Sequence, residues 1–251
     1  MTDKTLERLQ PLDGGSVVDG VIERLEELIF SRLEPGETLP SEGQLAEALG
    51  VSRLSVREAT RALAARGLLE ISKGRRPRVT APNGRLVGDF FKSAVRRDPR
   101  ALLDLLEVRR ALEVHIASLA ARRASQRHIA DLELSINAMR AAEQEFEAFH
   151  TADVRFHENL AAASGNELLV FLIEAFAEPL RTSRQRSFAG HQARGGHPDD
   201  VIQQHETILD AVKARNPKQA AQAMRDHLQQ TEQDLRTLMQ NANDQLEAGE
   251  A

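Results

Sequence analysis

The chain has 251 residues, of which 41% are hydrophobic, and its formal net charge is −5 at pH 7. This length can bury two hydrophobic cores, and the abundance of Ala, Leu, Glu, Gln and Arg favours a mostly α protein. The absence of cysteine excludes disulfides and thiolate metal sites. The opening residues lack a signal-peptide core, and the longest apolar run, 168–173, is too short to cross a membrane. We expect a soluble cytoplasmic protein without a membrane partner.

The N-terminal third begins with a polar stretch and then shows two helical patterns. Residues 1–15 have no sustained period, and we interpret them as a flexible arm. A helix begins at Ser16 and ends before a Pro-Gly pair. A second helix begins at Ser41, where Gln44 completes a capping box, and ends at Gly50. The short connection that follows is typical of the turn of a helix-turn-helix.

A third helix and a basic hairpin complete this domain. Ser52 is a good N-cap and Gly67 a good residue after the helix end, so they bracket about four turns. Beyond Gly67, residues 68–72 and 76–80 can pair as two short strands around the sequence Lys-Gly-Arg at 73–75. The pattern predicts a winged helix-turn-helix.

The charge of this segment differs from that of the rest of the chain. Between Ser52 and Arg78 the formal charge is +6, so the remaining residues sum to −11. A basic patch on an otherwise acidic protein is typical of a phosphate-binding surface. Polar and basic side chains crowd the N-terminal half of the third helix, the part of a recognition helix that reaches base edges; they are Arg53, Ser55, Arg57 and Arg61.

The rest of the chain predicts an antiparallel bundle of six or seven amphipathic helices. The helical patterns cover 100–124, 126–142, 143–164, 166–187, 199–215 and 217–241, with a Gly- and His-containing loop at 190–198. The predicted layout is an arm at 1–15, a DNA-binding domain at 16–80, a linker with a short helix at 81–99, a bundle at 100–242 and a disordered tail at 243–251.

Four polar residues interrupt the apolar stripes of three bundle helices. Asp153 and His157 lie four residues apart on one face, and His205 and His227 lie on the inward faces of two later helices. One carboxylate and three imidazoles suit a divalent metal ion, although each histidine alone is also compatible with a core role. His150 shares the face of His157 but is about 10.5 Å away along the axis, at 1.5 Å per residue. We therefore favour His157 as the ligand.

Arg109 also falls on an apolar stripe. A guanidinium that faces a core needs an anionic partner. A bound carboxylate could serve, and so could Glu113 four residues later. The sequence leaves both alternatives open.

The N-terminal segment LEPGETLPSEGQLAEALGVSRLSVREATRALAARGLLEISKGRRPRV resembles the winged helix-turn-helix of the GntR superfamily of bacterial transcriptional regulators. The motif LA-x2-LGVSR-x2-VREA carries the likeness. The resemblance implies that Arg53 and Arg57 contact the operator, that Ser52, Leu54 and Ser55 face bases or phosphates, and that Gly74 enters the minor groove. Lys73 and Arg75 flank that tip.

Two positions depart from the family pattern. Gly43 stands where an arginine is common, so one DNA contact is expected to be missing. The wing has the sequence Gly-Arg-Arg-Pro at 74–77, where many members have Gly-x-Gly-Thr. We expect Arg75 and Arg76 to compensate through phosphate contacts.

The C-terminal motifs D-x2-FH-x2-LA-x3-GN, H-x2-ILDAV and AM-x2-HL resemble the ligand-binding domain of the FadR-type branch, in its metal-containing group. The resemblance places the metal ligands on Asp153, His157, His205 and His227. Zinc is the first expectation, with nickel, manganese or iron as alternatives. Members of this group sense small carboxylates that complete the metal shell, which implies the same for this chain.

Two functional hypotheses follow. The first is a regulator that binds pseudo-palindromic double-stranded DNA as a homodimer, most simply a repressor released by a small carboxylate effector. The second is a metal-dependent hydrolase fused to a DNA-binding domain, because three His and one Asp resemble catalytic zinc. No unassigned carboxylate is evident as a general base, which favours the regulator.

Overall fold

The computed structural model describes residues 16–81, 83–98, 100–142 and 145–249. The predicted arm at 1–15 lies outside the described residues. The chain divides into two compact units, Met1–Leu86 and Val87–Ala251. The described chain is mostly helical, which confirms the predicted fold class.

The first unit has the element order of a winged helix-turn-helix. Its described elements are α1 (Val17–Arg32), α2 (Glu42–Leu49), α3 (Arg53–Ala65), β1 (Leu69–Glu70) and β2 (Arg78–Val79). The inward faces of α1, α2 and α3 form one core with a residue from each strand. This core fixes the position of α3 within the unit.

Local hydrogen bonds set the ends of α2 and α3. The hydroxyl of Ser41 accepts the N–H of Gln44 at 3.3 Å, and the Gln44 side chain accepts the N–H of Ser41 at 3.0 Å, which is the predicted capping box. Gly50 ends α2 with a φ of 67°, a conformation that glycine adopts without strain. The hydroxyl of Ser52 then accepts the N–H of Ser55 at 3.0 Å and begins α3. The predicted turn between the two helices is confirmed.

The two strands are shorter than the sequence predicts. In the ladder Leu69 pairs with Val79 and Glu70 with Arg78. On its other edge β2 meets the segment after α1, since the N–H of Val79 donates to the carbonyl of Glu37 at 2.7 Å. The segment between the strands folds as a turn instead of extending the ladder.

The second unit is built from helices with short connections. Its described elements are α4 (Arg85–Arg97, which begins just before the division), α5 (Ala101–Arg123), α6 (Gln126–Ala141), α7 (Phe146–Ala163), α8 (Glu167–Ala193), α9 (Pro198–Lys213) and α10 (Pro217–Gly249). The last helix therefore includes most of the segment predicted as a tail at 243–251.

The core of the second unit is continuous from α5 to α10. α10 lies against α5, α8 and α9, and α7 lies against α5, α6 and α8. Because these helices share one core, polar residues on their inward faces can meet although they are far apart in sequence. None of the helices in the described ranges combines the length and apolarity needed to span a bilayer.

The predicted loop at 190–198 is largely wrong, because α8 continues to Ala193 and only 194–197 remain between α8 and α9. The glycine that suggested a break, Gly190, lies inside α8 where the backbone of α10 passes close by. A Cβ at this position would overlap the main-chain oxygen of Asp234. This glycine therefore serves the packing of two helices and does not end one.

We predict that Gly190→Ala destabilises the protein although alanine is the better helix former. The added methyl group must push α8 away from α10, and overpacking of this kind costs about 1–3 kcal/mol. Thermal or urea unfolding of the purified variant measures the loss.

The matched control is Ala189→Ser, which also adds one atom but on the exposed neighbouring position of α8. It should stay within about 0.5 kcal/mol of the unchanged protein. Equal stability of Gly190→Ala and the control would contradict the close approach of the two helices.

Candidate functional site

The four predicted metal ligands meet in the second unit. Asp153 and His157 come from α7, His205 from α9 and His227 from α10. All four are buried, and one ligand atom from each lies within 4.8 Å of those of the others. The structure thus brings together the four residues that the sequence pattern places on the inward faces of three helices.

Each imidazole is oriented by a hydrogen-bond partner or anion at its Nδ1 atom. Nδ1 of His157 lies 2.5 Å from Glu113 Oε2 on α5, and Nδ1 of His205 lies 2.8 Å from the carbonyl of Val201 one turn earlier. Nδ1 of His227 lies 2.7 Å from the side-chain oxygen of Gln204. A proton on each Nδ1 leaves the Nε2 lone pair free to bind a metal, which is the usual arrangement of metal-binding histidines.

The Nε2 atoms of two rings face the carboxylate of Asp153. The distance to Asp153 Oδ1 is 3.1 Å from His205 and 3.8 Å from His157, and neither Nε2 atom has a hydrogen-bond partner among the described residues. Buried nitrogens without a hydrogen-bond partner are unfavourable unless something else satisfies them. A divalent ion bound by nitrogen and oxygen would do so, and the donor set fits one.

The second oxygen of Asp153 is held by an arginine. Nε of Arg184, on α8, lies 2.7 Å from Asp153 Oδ2. Burial alone would raise the pKa of Asp153, but Arg184 and the contacts with His157 and His205 outweigh burial and hold this pKa well below its ordinary value. The carboxyl group is therefore an anion and available as a ligand.

The histidines differ in their pKa values. Burial, together with the neighbouring rings of His205 and His157, holds the pKa of His227 well below its ordinary value. Burial would also lower the pKa of His157, but Glu113 and Asp153 raise it above the ordinary value. His227 is therefore neutral, whereas the site has anionic partners at both nitrogens of His157.

Arg109 pairs with Glu113, one of the two partners that the sequence left open. Its Nε lies 2.5 Å from Glu113 Oε1, and both side chains are almost completely buried. Burial would raise the pKa of Glu113, but Arg109 and His157 hold it well below the ordinary value. Nη2 of Arg109 has no hydrogen-bond partner among the described residues, and the side chain lines a pocket. The ion pair thus occupies one side of the guanidinium and leaves a donor at the other.

The pocket lies beside the cluster of Asp153, His157, His205 and His227, within the second unit. The space that it encloses for water-sized molecules is about 50 Å³, within a cleft of about 550 Å³ that includes space open to solvent. Asp153, His227 and Arg109 line it. His150, which the sequence raised as a competing ligand, lines it too, with its ring stacked on Phe146 at a centroid distance of 5.9 Å. His150 is therefore a pocket residue outside the four-residue cluster.

Sequence reasoning missed three roles around the cluster. The sequence suggests Glu113 only as a partner of Arg109, and its contact with His157 is unexpected. Arg184 and Gln204 hold Asp153 and His227 from other helices. The available signal was a polar residue on the inward side of a helix, but such a pattern does not identify the partner across the core.

The other predicted set lies in the first unit, at the start of α3 and in the hairpin. Ser52, Arg53 and Leu54 are exposed, with 62% of Leu54 accessible, and Ser55 is half-buried. Because Leu54 is exposed at the start of α3, it does not contribute to the hydrophobic core of this unit. Arg57 is exposed as well, and its guanidinium is held by Glu42 on α2, with an Nη2–Oε2 distance of 2.7 Å.

The two departures from the family pattern have local structural counterparts. A Cβ at Gly43 would lie 3.3 Å from Nη2 of Arg53, so the glycine leaves space that the Arg53 guanidinium borders. In the hairpin Gly74 has a φ of 74°, and apart from Gly74 and its two chain neighbours no described residue has an atom within 4 Å of the position that a Cβ would take there. Lys73 and Arg75 are exposed beside it. The tip of the hairpin is therefore basic and sterically open.

Comparison with known proteins identifies a family for each unit. Residues 18–79 match the family described as bacterial regulatory proteins, gntR family, and residues 104–230 match the FCD domain. The second match alone covers more than half of the 251 residues.

Curated relatives and a solved structure agree with these matches. The galactonate operon transcriptional repressor of Escherichia coli is 31% identical over 79% of this chain and 87% of its own length. The Glc operon transcriptional activator of E. coli is 32% identical over 87% and 89%. A GntR structure from Streptococcus agalactiae has a TM-score of 0.71 and 29% identity, covering 86% of this chain and 98% of that one. These relatives are regulators, so the hydrolase hypothesis is not supported.

We predict that His205→Ala loses bound divalent metal. Even the outer partners of metal ligands typically contribute 10–100-fold to affinity, so loss of a ligand should weaken binding by about 100-fold or more. Elemental analysis after dialysis against a fixed zinc concentration measures the bound ion.

His115→Ala is the matched control, because His115 is exposed on α5 and outside the cluster. It should retain the ion, and the helix content of both variants by circular dichroism reports folding. Unchanged zinc content in a folded His205→Ala protein would contradict the assignment.

Proposed function

The chain belongs to the GntR family of bacterial regulatory proteins and carries an FCD domain, and from that premise we propose that it is a repressor that a small carboxylate releases from DNA. That it is a DNA-binding, metabolite-responsive transcriptional regulator follows from the family. The observation that supports the finer proposal is the meeting of Asp153 with three histidine side chains beside a pocket that contains unpartnered guanidinium nitrogens. The location we propose for it is the bacterial cytoplasm.

On the DNA side we propose that a homodimer reads a pseudo-palindromic operator. The start of α3 would enter the major groove, and the hairpin would reach the neighbouring minor groove or its phosphates. The residues proposed for these contacts are Ser52, Arg53, Leu54, Ser55, Arg57, Lys73, Gly74 and Arg75. Arg57 is bound to Glu42 in the free protein, so phosphate or base would have to replace a carboxylate on that guanidinium.

On the effector side we propose that Asp153, His157, His205 and His227 hold a divalent metal, with zinc first and nickel, manganese or iron as alternatives. The ion would supply a fixed positive charge that attracts an anionic oxygen. Nη2 of Arg109 would donate to the same carboxylate or its neighbour. Glu113 keeps His157 and Arg109 in place for this contact.

The direction of regulation is not common to the relatives, which carry the names of a repressor and of an activator. We propose a repressor because this needs only that the effector and the operator favour different conformations of the protein, so that binding of the effector releases the DNA. By linkage, an effector that weakens DNA binding is itself bound more weakly by the DNA complex.

We predict that Arg57→Ala weakens DNA binding by about tenfold or more and lowers the slope of log affinity against log salt by about one, as expected for a lost phosphate contact. Titration of the DNA that flanks the protein's own gene, at several salt concentrations, measures both values. The zinc content should not change.

Arg24→Ala is the matched control, since Arg24 is partly exposed on α1 and pairs with Glu27 on the same helix. It should bind DNA as the unchanged protein does. Full DNA affinity of Arg57→Ala and of Arg53→Ala would contradict the proposed reading surface.

We predict that α-hydroxy acids release the zinc-loaded protein from this DNA. A typical coupling between two sites changes affinity by about 5–150-fold. DNA titrations with millimolar lactate, mandelate or gluconate measure it, and Asp153→Asn should not respond.

Tighter DNA binding in the presence of an acid would contradict the repressor assignment. A response that is the same in Asp153→Asn would contradict the effector site. The exposed-surface variant Arg24→Ala again serves as the control and should respond fully.

A further inference from the structure

We propose that the pocket selects a carboxylate with an apolar, ring-sized tail and disfavours polyhydroxylated acids. The inference rests on the proposed function, because it concerns the effector of that same site. It is drawn from the two ends of the pocket, which differ in chemistry, and from the hydrogen bonds that its polar side chains already make.

One end of the pocket is aromatic. Phe188 on α8 lies 5.8 Å from Phe146 and 5.6 Å from Phe149, both on α7, measured between ring centroids. All three rings line the pocket, as does Val201. The chain has only nine phenylalanines and no Trp or Tyr. One third of its aromatic residues therefore meet at this wall.

The aromatic and polar ends are separated along two helices. On α7 the phenylalanines precede Asp153 by one to two turns, and on α8 Phe188 follows Arg184 by one turn. Arg184 contacts Asp153, while Phe188 contacts Phe146 and Phe149. A ligand whose carboxylate lies at the metal cluster therefore extends its tail towards phenyl rings.

Most other polar side chains that line the pocket are already engaged. The hydroxyl of Ser187 donates to the carbonyl of Arg184 at 3.1 Å, and the hydroxyl of Thr231 donates to the carbonyl of His227 at 3.0 Å. The side-chain oxygen of Gln204 faces Nδ1 of His227. Asp234 is paired with Arg194.

Two of the unpartnered polar atoms that line the pocket are guanidinium nitrogens beside the cluster, Nη2 of Arg109 and Nη1 of Arg184, both buried without a hydrogen-bond partner among the described residues. The others are Nδ1 of His150, whose ring is stacked on Phe146, and Nδ1 of His191, which lies 3.5 Å from Asp234 Oδ2. Two guanidinium nitrogens suit the oxygens of a carboxylate. The hydroxyl groups of a sugar acid, in contrast, would lie against phenyl rings with few free partners, which is unfavourable for buried polar groups.

The test compares three acids with the same α-hydroxycarboxylate head and different tails. Mandelate carries a phenyl ring, lactate a methyl group and gluconate a chain of hydroxyl groups. Isothermal titration of the zinc-loaded full chain should give mandelate an affinity at least about tenfold above the other two, as expected from burial of a ring-sized apolar group.

Phe188→Asn tests the wall directly, because Phe188 is only partly buried and the substitution replaces a ring by a polar group. Mandelate should bind about tenfold more weakly, while lactate should be unchanged. Phe188→Leu keeps the site apolar, and its affinity for mandelate should lie between those of the unchanged protein and Phe188→Asn. This second variant keeps the test valid if Phe188→Asn misfolds. Phe90→Asn is the matched control, because Phe90 is 70% exposed on α4 and does not line the pocket.

The outcomes separate the inference from the proposed function. Gluconate or lactate binding as tightly as mandelate, with zinc retained, overturns the inference and leaves the proposed function standing. Failure of all three acids to bind the zinc-loaded protein overturns the proposed function and the inference with it. A loss of mandelate affinity in Phe90→Asn equal to that in Phe188→Asn also overturns the inference.

Discussion

The second unit depends on a continuous series of buried charges. Arg109 contacts Glu113, Glu113 contacts His157, His157 faces Asp153, and Asp153 contacts Arg184. The series joins α5, α7 and α8 through side chains that are almost inaccessible to water. Removing one member of a buried pair typically costs about 3–5 kcal/mol, because the partner is left uncompensated. The helices must therefore keep their relative positions for these groups to remain paired.

Apolar side chains pack against this series of buried charges. The ring of Phe156 packs edge-on against His205 at a centroid distance of 4.7 Å and also lies beside His157. Because Phe156 is completely buried, this side of the two imidazoles faces the apolar core and not water. The second unit thus combines a buried polar centre with an aromatic pocket wall, and the proposed effector would lie between the two.

Much of the fold could be predicted because its signals are local. The capping box at Ser41 and the left-handed residue Gly50 predict the turn of the helix-turn-helix, and helical periodicity places Asp153 and His157 on one inward face. The contact of Glu113 with His157 could not be predicted, since periodicity shows that a residue faces inward but not which residue it meets. The prediction at Gly190 is wrong for a related reason. The sequence alone does not distinguish a glycine that allows a neighbouring helix to approach from a glycine that ends a helix.

The distribution of the four candidate ligands along the chain has a further consequence. Asp153 lies on α7, His205 on α9 and His227 on the next helix, α10, so a shared ion would close one long and one shorter loop of the polypeptide. In this chain, which has no cysteine, the bonds between the metal and its ligands would cross-link the polypeptide as disulfides do in secreted proteins. Such a link opens when the ion is withdrawn, and with zinc, which has no redox chemistry, it does not respond to the redox state of the cell.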